Sequence, residues 1–309
     1  MTVASDMIQK LFDLGHFRNP AHMTSVTEAD LPSLKLTDEP VRIAIQSFQE
    51  FMAEDFDRLA LYYHGRIGIA DGDVGLATAK LFEVERCGYP DYSIEAANGS
   101  GSWPSGCHPA WKNNHAFSLQ VNKSGMPSYL QPIFEQAFEL VRQAYANIGM
   151  VFVREDNNDR ANTLVTWQRG AGWIGLAIVP RSPRCGERIW AKFDNRYQPS
   201  QLLHQWARLL AHEFGHNMGM SHSRGGIMNP SIVSGPFTPT AWRGDPSESI
   251  LKRYFGGVPV NLGGTPAPPV DPTPPPTGIK KLYFTGSFKA RDEAGNDLGD
   301  YILVPNEKV

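Results

Sequence analysis

The densest chemistry in this chain lies in one run: His212-Glu213-Phe214-Gly215-His216-Asn217-Met218-Gly219-Met220-Ser221-His222. On a helix, residues four apart share a face, so His212 and His216 can aim ring nitrogens at one cation. Glu213 then stands beside that cation without having to bind it. A third nitrogen cannot come from the next helical turn if the three are to share one face of a tetrahedron. The chain must swing round, and Gly219 tolerates the positive φ that ends a helix and redirects the backbone, bringing His222 back. Three imidazoles with a fourth position open are the donor set of a catalytic zinc rather than of a closed structural one.

The pattern H-E-x-x-H-x-x-G-x-x-H resembles that of the metzincin peptidases, in which a methionine turn follows. Met228, in Gly226-Ile227-Met228-Asn229-Pro230, fits that turn, although it follows His222 by fewer residues than in most matrixins. The resemblance implies one catalytic Zn2+ held by His212, His216 and His222, with Met228 as a soft, non-coordinating floor. It implies an endopeptidase in which metal-activated water attacks the peptide bond and Glu213 is the general base. Substrate is expected to lie extended on an edge strand, taken as Arg188 to Phe193, with the Asn229 to Phe237 segment lining the pocket after the scissile bond.

A second motif stands ahead of this region: Glu85-Arg86-Cys87-Gly88-Tyr89-Pro90-Asp91. It is similar to the matrixin cysteine switch, with Glu85 where proline is usual. A thiolate is a good fourth zinc ligand and displaces the catalytic water, so Cys87 is expected to keep the enzyme latent while Arg86 and Asp91 pair and brace the loop. Pro183-Arg184-Cys185-Gly186 matches half of the same motif but continues Glu187-Arg188, and reads as a loop. With three cysteines in all, Cys107 and Cys185 can pair in an oxidising compartment, leaving Cys87 as the odd thiol. Matrixins also carry a structural zinc in a histidine-rich loop; Trp167 to Arg188 has no histidine, so a single zinc is expected.

These groups need a scaffold. Strand patterns at Ala116 to Val121, Val151 to Arg154, Thr163 to Gln168, Gly175 to Val179 and Arg188 to Phe193 alternate with helical patterns over Leu130 to Ile148 and Pro199 to Gly215. The expected fold class is mixed α/β, a twisted mixed sheet with two long helices, spanning residues 111–257. Ahead of it, Val41, Ile43, Ile45, Phe48 and Phe51 recur at helical spacing, and the Ala70-Asp71-Gly72-Asp73 turn leads to a short helix from Thr78 to Phe82. Residues 35–92 thus form a small all-α module; Ala44 to Gln49 and Asp71 to Gly75 resemble the peptidoglycan-binding-like fold that precedes matrixin catalytic domains. Residues 1–34 read as a loosely organised arm and 93–110 as a turn-rich linker. A Pro-rich linker spans 258–278, and 279–309 form a small β module with strands at Lys281 to Phe284 and Tyr301 to Val304.

Bulk properties narrow the partners. Net charge is -3, with no basic excess, so nucleic acid is not expected as a partner. Apolar runs are far below the ~20 residues a membrane-spanning helix needs. Met1 to Leu14 lacks the basic start and unbroken apolar stretch of a secretory signal, while the family likeness points to an extracellular or particle-associated protein. The expected partners are a protein or peptide substrate, peptidoglycan or cell wall through residues 35–92, and an assembly through the tail. A reading from another class is an attachment protein that binds peptidoglycan and carries a vestigial peptidase.

Overall fold

The computed structural model describes residues 3–22, 24–92, 116–157, 159, 161–170, 172–178, 188–232, 235–262, 283–285 and 289–291. The chain divides into two compact units, 1–263 and 264–309.

In the first unit, strands β1 (Ala116–Val121), β2 (Val151–Arg154), β3 (Thr163–Gln168), β4 (Gly175–Ala177) and β5 (Ile189–Asp194) form one sheet in the order β2-β1-β3-β5-β4. All neighbours run parallel except β4, which pairs antiparallel with β5 at the sheet edge. Parallel neighbours need crossovers, and helix α5 (Gln131–Ala146) supplies the one between β1 and β2. The strands alternate as the pleat requires: Thr163, Val165 and Trp167 of β3 and Ile189, Ala191 and Phe193 of β5 face the core. Helix α6 (Leu202–Asn217) is buried over most of its length, which is why its apolar residues do not form a narrow stripe. Tyr145 Oη of α5 donates to Ala211 O of α6 at 2.7 Å, and Asn217 Nδ2 donates to Ile178 O and Trp190 O, tying α6 to its neighbours. The mixed α/β expectation therefore holds for this region, and α7 (Glu248–Phe255) follows it.

Two expectations need correction. The strand before α6 was expected to be the substrate edge, but β5 lies between β3 and β4 and has its backbone paired on both sides. The sheet edge on that side belongs to β4. Residues 1–34, expected to be a loose arm, instead contribute α1 (Val3–Asp13), whose Ile8 and Leu11, with Leu14 and Phe17 just beyond it, are buried. They share one core with Val41, Ala44, Ile45 and Phe48 of α2 (Glu39–Phe51), Phe56 and Ala60 of α3 (Ala53–His64), and Ala77 and Leu81 of α4 (Leu76–Leu81). The apolar positions of 1–34 are short and broken by Pro20 and Pro32, so no single period betrays them, yet together they complete a small core.

The second unit contributes a two-stranded antiparallel sheet of β6 (Tyr283–Thr285) and β7 (Lys289–Arg291). The expected strand at Tyr301 to Val304 lies outside the described residues. No helix among the described residues is long and apolar enough to cross a membrane.

Candidate metal centre

Helix α6 presents His212 and His216 on one face, and its end does what Gly219 was expected to permit. Gly219 has φ +87°, its N–H bonds to His216 O, and Met220 N–H reaches back to Gly215 O, the paired bonds of a Schellman turn. The chain then returns through His222, and Ser223 N–H bonds to Met228 O. One ligating atom each from Cys87, His212, His216 and His222 lies within 4.8 Å of all the others, and all four side chains are buried. Cys87 Sγ is 3.5 Å from His216 Nε2.

Hydrogen bonding fixes which ring nitrogen each histidine offers. His212 Nδ1 lies 2.8 Å from Ile227 O, His216 Nδ1 2.7 Å from Met220 O, and His222 Nδ1 2.8 Å from Asp91 Oδ1. Carbonyl and carboxylate oxygens only accept, so each Nδ1 carries the proton and each Nε2 is left with a lone pair. His212 and His216 then face each other with two acceptor nitrogens 3.1 Å apart, and His222 Nε2 is buried without a hydrogen-bond partner. Three converging lone pairs with no proton between them fit a cation, and a ligating imidazole whose other nitrogen donates to an oxygen is the usual arrangement around zinc. Burial lowers the pKa of all three rings. His212 is pushed down to about 3, with the His222 charge as second cause, and His216 falls well below the ordinary range. Neutral imidazole is the form a metal needs.

Glu213 is fully buried beside this cluster, and the Cys87 thiol is the polar side chain that interacts with its carboxylate. Burial pushes its pKa up to about 8. A β-carbon added at Gly175 would lie 2.2 Å from Glu213 Oε1, so the carboxylate reaches the backbone of edge strand β4 only because that residue has no side chain. Met228 lies under the helix: Gly215 leaves room for its Sδ, which a β-carbon there would approach to 2.4 Å. Asp245 Oδ2 accepts from Ile227 N–H at 2.6 Å, bracing the carbonyl that orients His212.

The Cys87 segment runs through this site as a strand-like insert. On one side Ile174 N–H bonds to Arg86 O and Gly88 N–H to Gly175 O; on the other, Cys87 N–H bonds to Pro230 O, and Arg86 bridges to Ser231. Tyr89 lays its ring 4.6 Å from that of His216 and gives its N–H to Cys87 Sγ. Burial raises the Cys87 pKa well above the ordinary thiol range, with the Glu213 charge acting in the same direction, so the thiolate form requires a cation beside it. Arg86 and Asp91 form an ion pair, both buried. Burial opposes ionisation of Asp91, yet the Arg86 guanidinium and the bonds from His16 and His222 hold its pKa well below the usual carboxylate range.

The structure thus brings together His212, Glu213, His216, His222, Met228, Cys87, Arg86 and Asp91. Cys107 and Cys185, and with them the expected bridge, lie outside the described residues, as does part of the Trp167 to Arg188 stretch. Sequence reasoning missed His16, Ser47, Trp173 and Asp55. Trp173 packs against Gly88, and Asp55 accepts from Ser231 Oγ, bonding the helical module to the segment after the third histidine. Only His16 carried a signal, an ionisable side chain within an apolar run.

No family model matches the chain. It is 24% identical over 229 residues to the interstitial collagenase of Equus caballus, covering 70% of this chain and 45% of that protein. It is 25% identical over 222 residues to that of Aquarana catesbeiana, covering 70% of this chain and 49% of the relative. With that of Bos taurus it shares 22% identity over 312 residues, covering 92% and 60%. The chain spans about half the length of the curated relatives it matches. These distant matches support a matrixin-like relationship.

Proposed function

We propose that this chain is a zinc-dependent endopeptidase of the matrixin type, held latent by its own residues 86–91. The observation that carries the reading is the trio of buried Nε2 lone pairs beside a fully buried carboxylate whose polar neighbour is the Cys87 thiol. A polar group desolvated without a partner costs roughly 1–3 kcal/mol, and more when charged, so such a cluster makes sense around a bound cation.

His212, His216 and His222 would hold a zinc ion, and the chemistry it would supply there is that of a Lewis acid towards a peptide carbonyl and water. Glu213 accepts the water proton on a carboxylate oxygen and returns it to the leaving nitrogen; burial favours its protonated form, and a cation beside it would favour the ionised one that acts as base. Ile227 O, Met220 O and Asp91 keep the three rings in the tautomer that offers Nε2. An extended peptide pairs with the backbone around β4, in the slot that Arg86 to Gly88 fill. Filling that slot and placing Cys87 Sγ among the three histidine nitrogens blocks substrate and the fourth metal position together. The helical module acts here as a propeptide, since Asp55 and the Cys87 segment both hold it to the site.

The test compares wild type with Glu213→Ala on casein after thiol modification of Cys87, with zinc measured in both. We expect about one zinc per chain in each and a loss of ~10²–10⁴-fold in hydrolysis for the variant. Equal hydrolysis by the two proteins, or protein without zinc, refutes the proposal.

A further inference from the structure

The Asp91 carboxylate that braces the switch has a third holder, far away in sequence. His16 Nε2 lies 3.0 Å from Asp91 Oδ2, and its Nδ1 lies 3.0 Å from Ser47 Oγ, which also accepts from Asn19 Nδ2 at 2.8 Å. The protons assign themselves in one direction. A carboxylate only accepts, so His16 Nε2 donates to Asp91; Nδ1 therefore accepts the Ser47 hydroxyl, which is free to accept from Asn19. His16 is fully buried, with its ring edge-on to Phe48, Phe51 and Tyr92 at centroid distances of 5.1, 6.1 and 5.3 Å. Burial lowers its pKa, consistent with a neutral donor.

The backbone repeats the connection. Leu14 O accepts from both Asp91 N–H and Tyr92 N–H at 3.0 and 3.1 Å. Gly15, with φ +83°, turns the chain directly over Tyr92, whose carbonyl oxygen would be 1.8 Å from any β-carbon. No other residue type fits there. From the other oxygen of the same carboxylate, Asp91 holds Arg86 and His222. A continuous path therefore runs from Asn19 and Ser47 through His16 and Asp91 to a metal-ligating ring and to the residue beside Cys87.

We propose that His16 is a positioning residue of the inhibitory switch: by fixing the Asp91 carboxylate it keeps Arg86 paired and Cys87 seated among the three histidines, so residues 14–16 are part of the latch. The inference deepens the latency reading above and rests on it. It concerns how firmly the thiol is held, and so can be read without measuring hydrolysis.

The experiment is alkylation of Cys87 by iodoacetamide, followed by peptide mass spectrometry, on the full chain with and without zinc. His16→Phe keeps the ring packing and removes the bond; Ser47→Ala leaves the ring and frees it to turn. Melting of each variant is recorded alongside. In wild type, zinc is expected to slow alkylation of Cys87 strongly. In zinc-loaded His16→Phe the rate should rise by about tenfold or more, the loss expected for a hydrogen bond to a charged group. A smaller rise is expected for Ser47→Ala. Folded His16→Phe alkylated at the wild-type rate overturns the role of His16. Should that variant not fold, wild-type protection in Ser47→Ala overturns it instead. If zinc does not protect Cys87 in wild type, the latency reading itself fails, and His16 is then only a core residue.

Discussion

Asp91→Asn is the sharpest probe of the interface between switch and metal centre, because one atom exchange alters three bonds. In the folded protein Asp91 is buried, its side chain 0% exposed, and the carboxylate accepts from the Arg86 guanidinium, His222 Nδ1 and His16 Nε2. Asparagine keeps one acceptor oxygen and turns the other side into a donor. If its oxygen faces Arg86 and His222, its amide nitrogen faces the N–H of His16, which must change tautomer and turn the Ser47 hydroxyl from donor to acceptor. Arg86, 2% exposed, meanwhile loses its counter-charge. Breaking a buried ion pair from one side costs roughly 3–5 kcal/mol. At roughly 2–4 °C per kcal/mol for a unit of this size, the first calorimetric transition should fall by about 6–20 °C at pH 7. The difference from wild type should shrink as pH falls below about 4, since the depressed pKa of Asp91 contributes stability above its unfolded value and loses it as the folded value is approached. A shift under about 2 °C at pH 7 refutes the argument, because it means that Arg86 is solvated or finds another partner.

Three further outcomes follow from the same geometry. Cys87→Ser should raise initial hydrolysis of casein by freshly purified protein relative to wild type, since serine is a poorer zinc ligand; equal initial rates would remove Cys87 from control. Metal-free protein should lose stability in urea titrations as pH falls below about 6.5, because His16, His212, His216 and His222 have pKa values lowered by burial and take up protons on unfolding; stability that stays flat from pH 7 to 5 contradicts this sign. Gly219→Ala forces a side chain into φ +87° at the Schellman turn and should cost about 1–2 kcal/mol, with weakened zinc retention as His222 moves, read by melting and zinc content together.

The ligand cluster was legible in sequence because its constraints are local. Two histidines one helical turn apart and a glycine at the helix end specify the approach of His222 without reference to the rest of the chain. The sheet was equally legible wherever alternation is strict, as in β3 and β5. Strand order was not, since periodicity says which face is buried but not which neighbours pair, and nothing in the pattern of β5 signals that β4 lies outside it. The place of residues 1–34 was hidden for a related reason. Ile8, Leu11, Leu14 and Phe17 gain their meaning only from a core assembled with α2 through α4, and His16 only from a carboxylate 75 positions away.

The strand-like insertion of Arg86 to Gly88 between the β4 region and Pro230–Ser231 has a thermodynamic meaning beyond the contacts themselves. An occupant on the same chain as its slot is present at an effective concentration on the order of mM, whatever the dilution of the protein. On the proposed reading, a free peptide substrate at micromolar levels would compete poorly against it, even if each made equally good backbone bonds. Cutting the connecting chain replaces that fixed local concentration with the bulk one, a drop of about a thousandfold for micromolar protein. Connectivity, more than the strength of any one bond, then sets the ratio between the closed and open slot, and a single scission on the covalent path moves it in one direction.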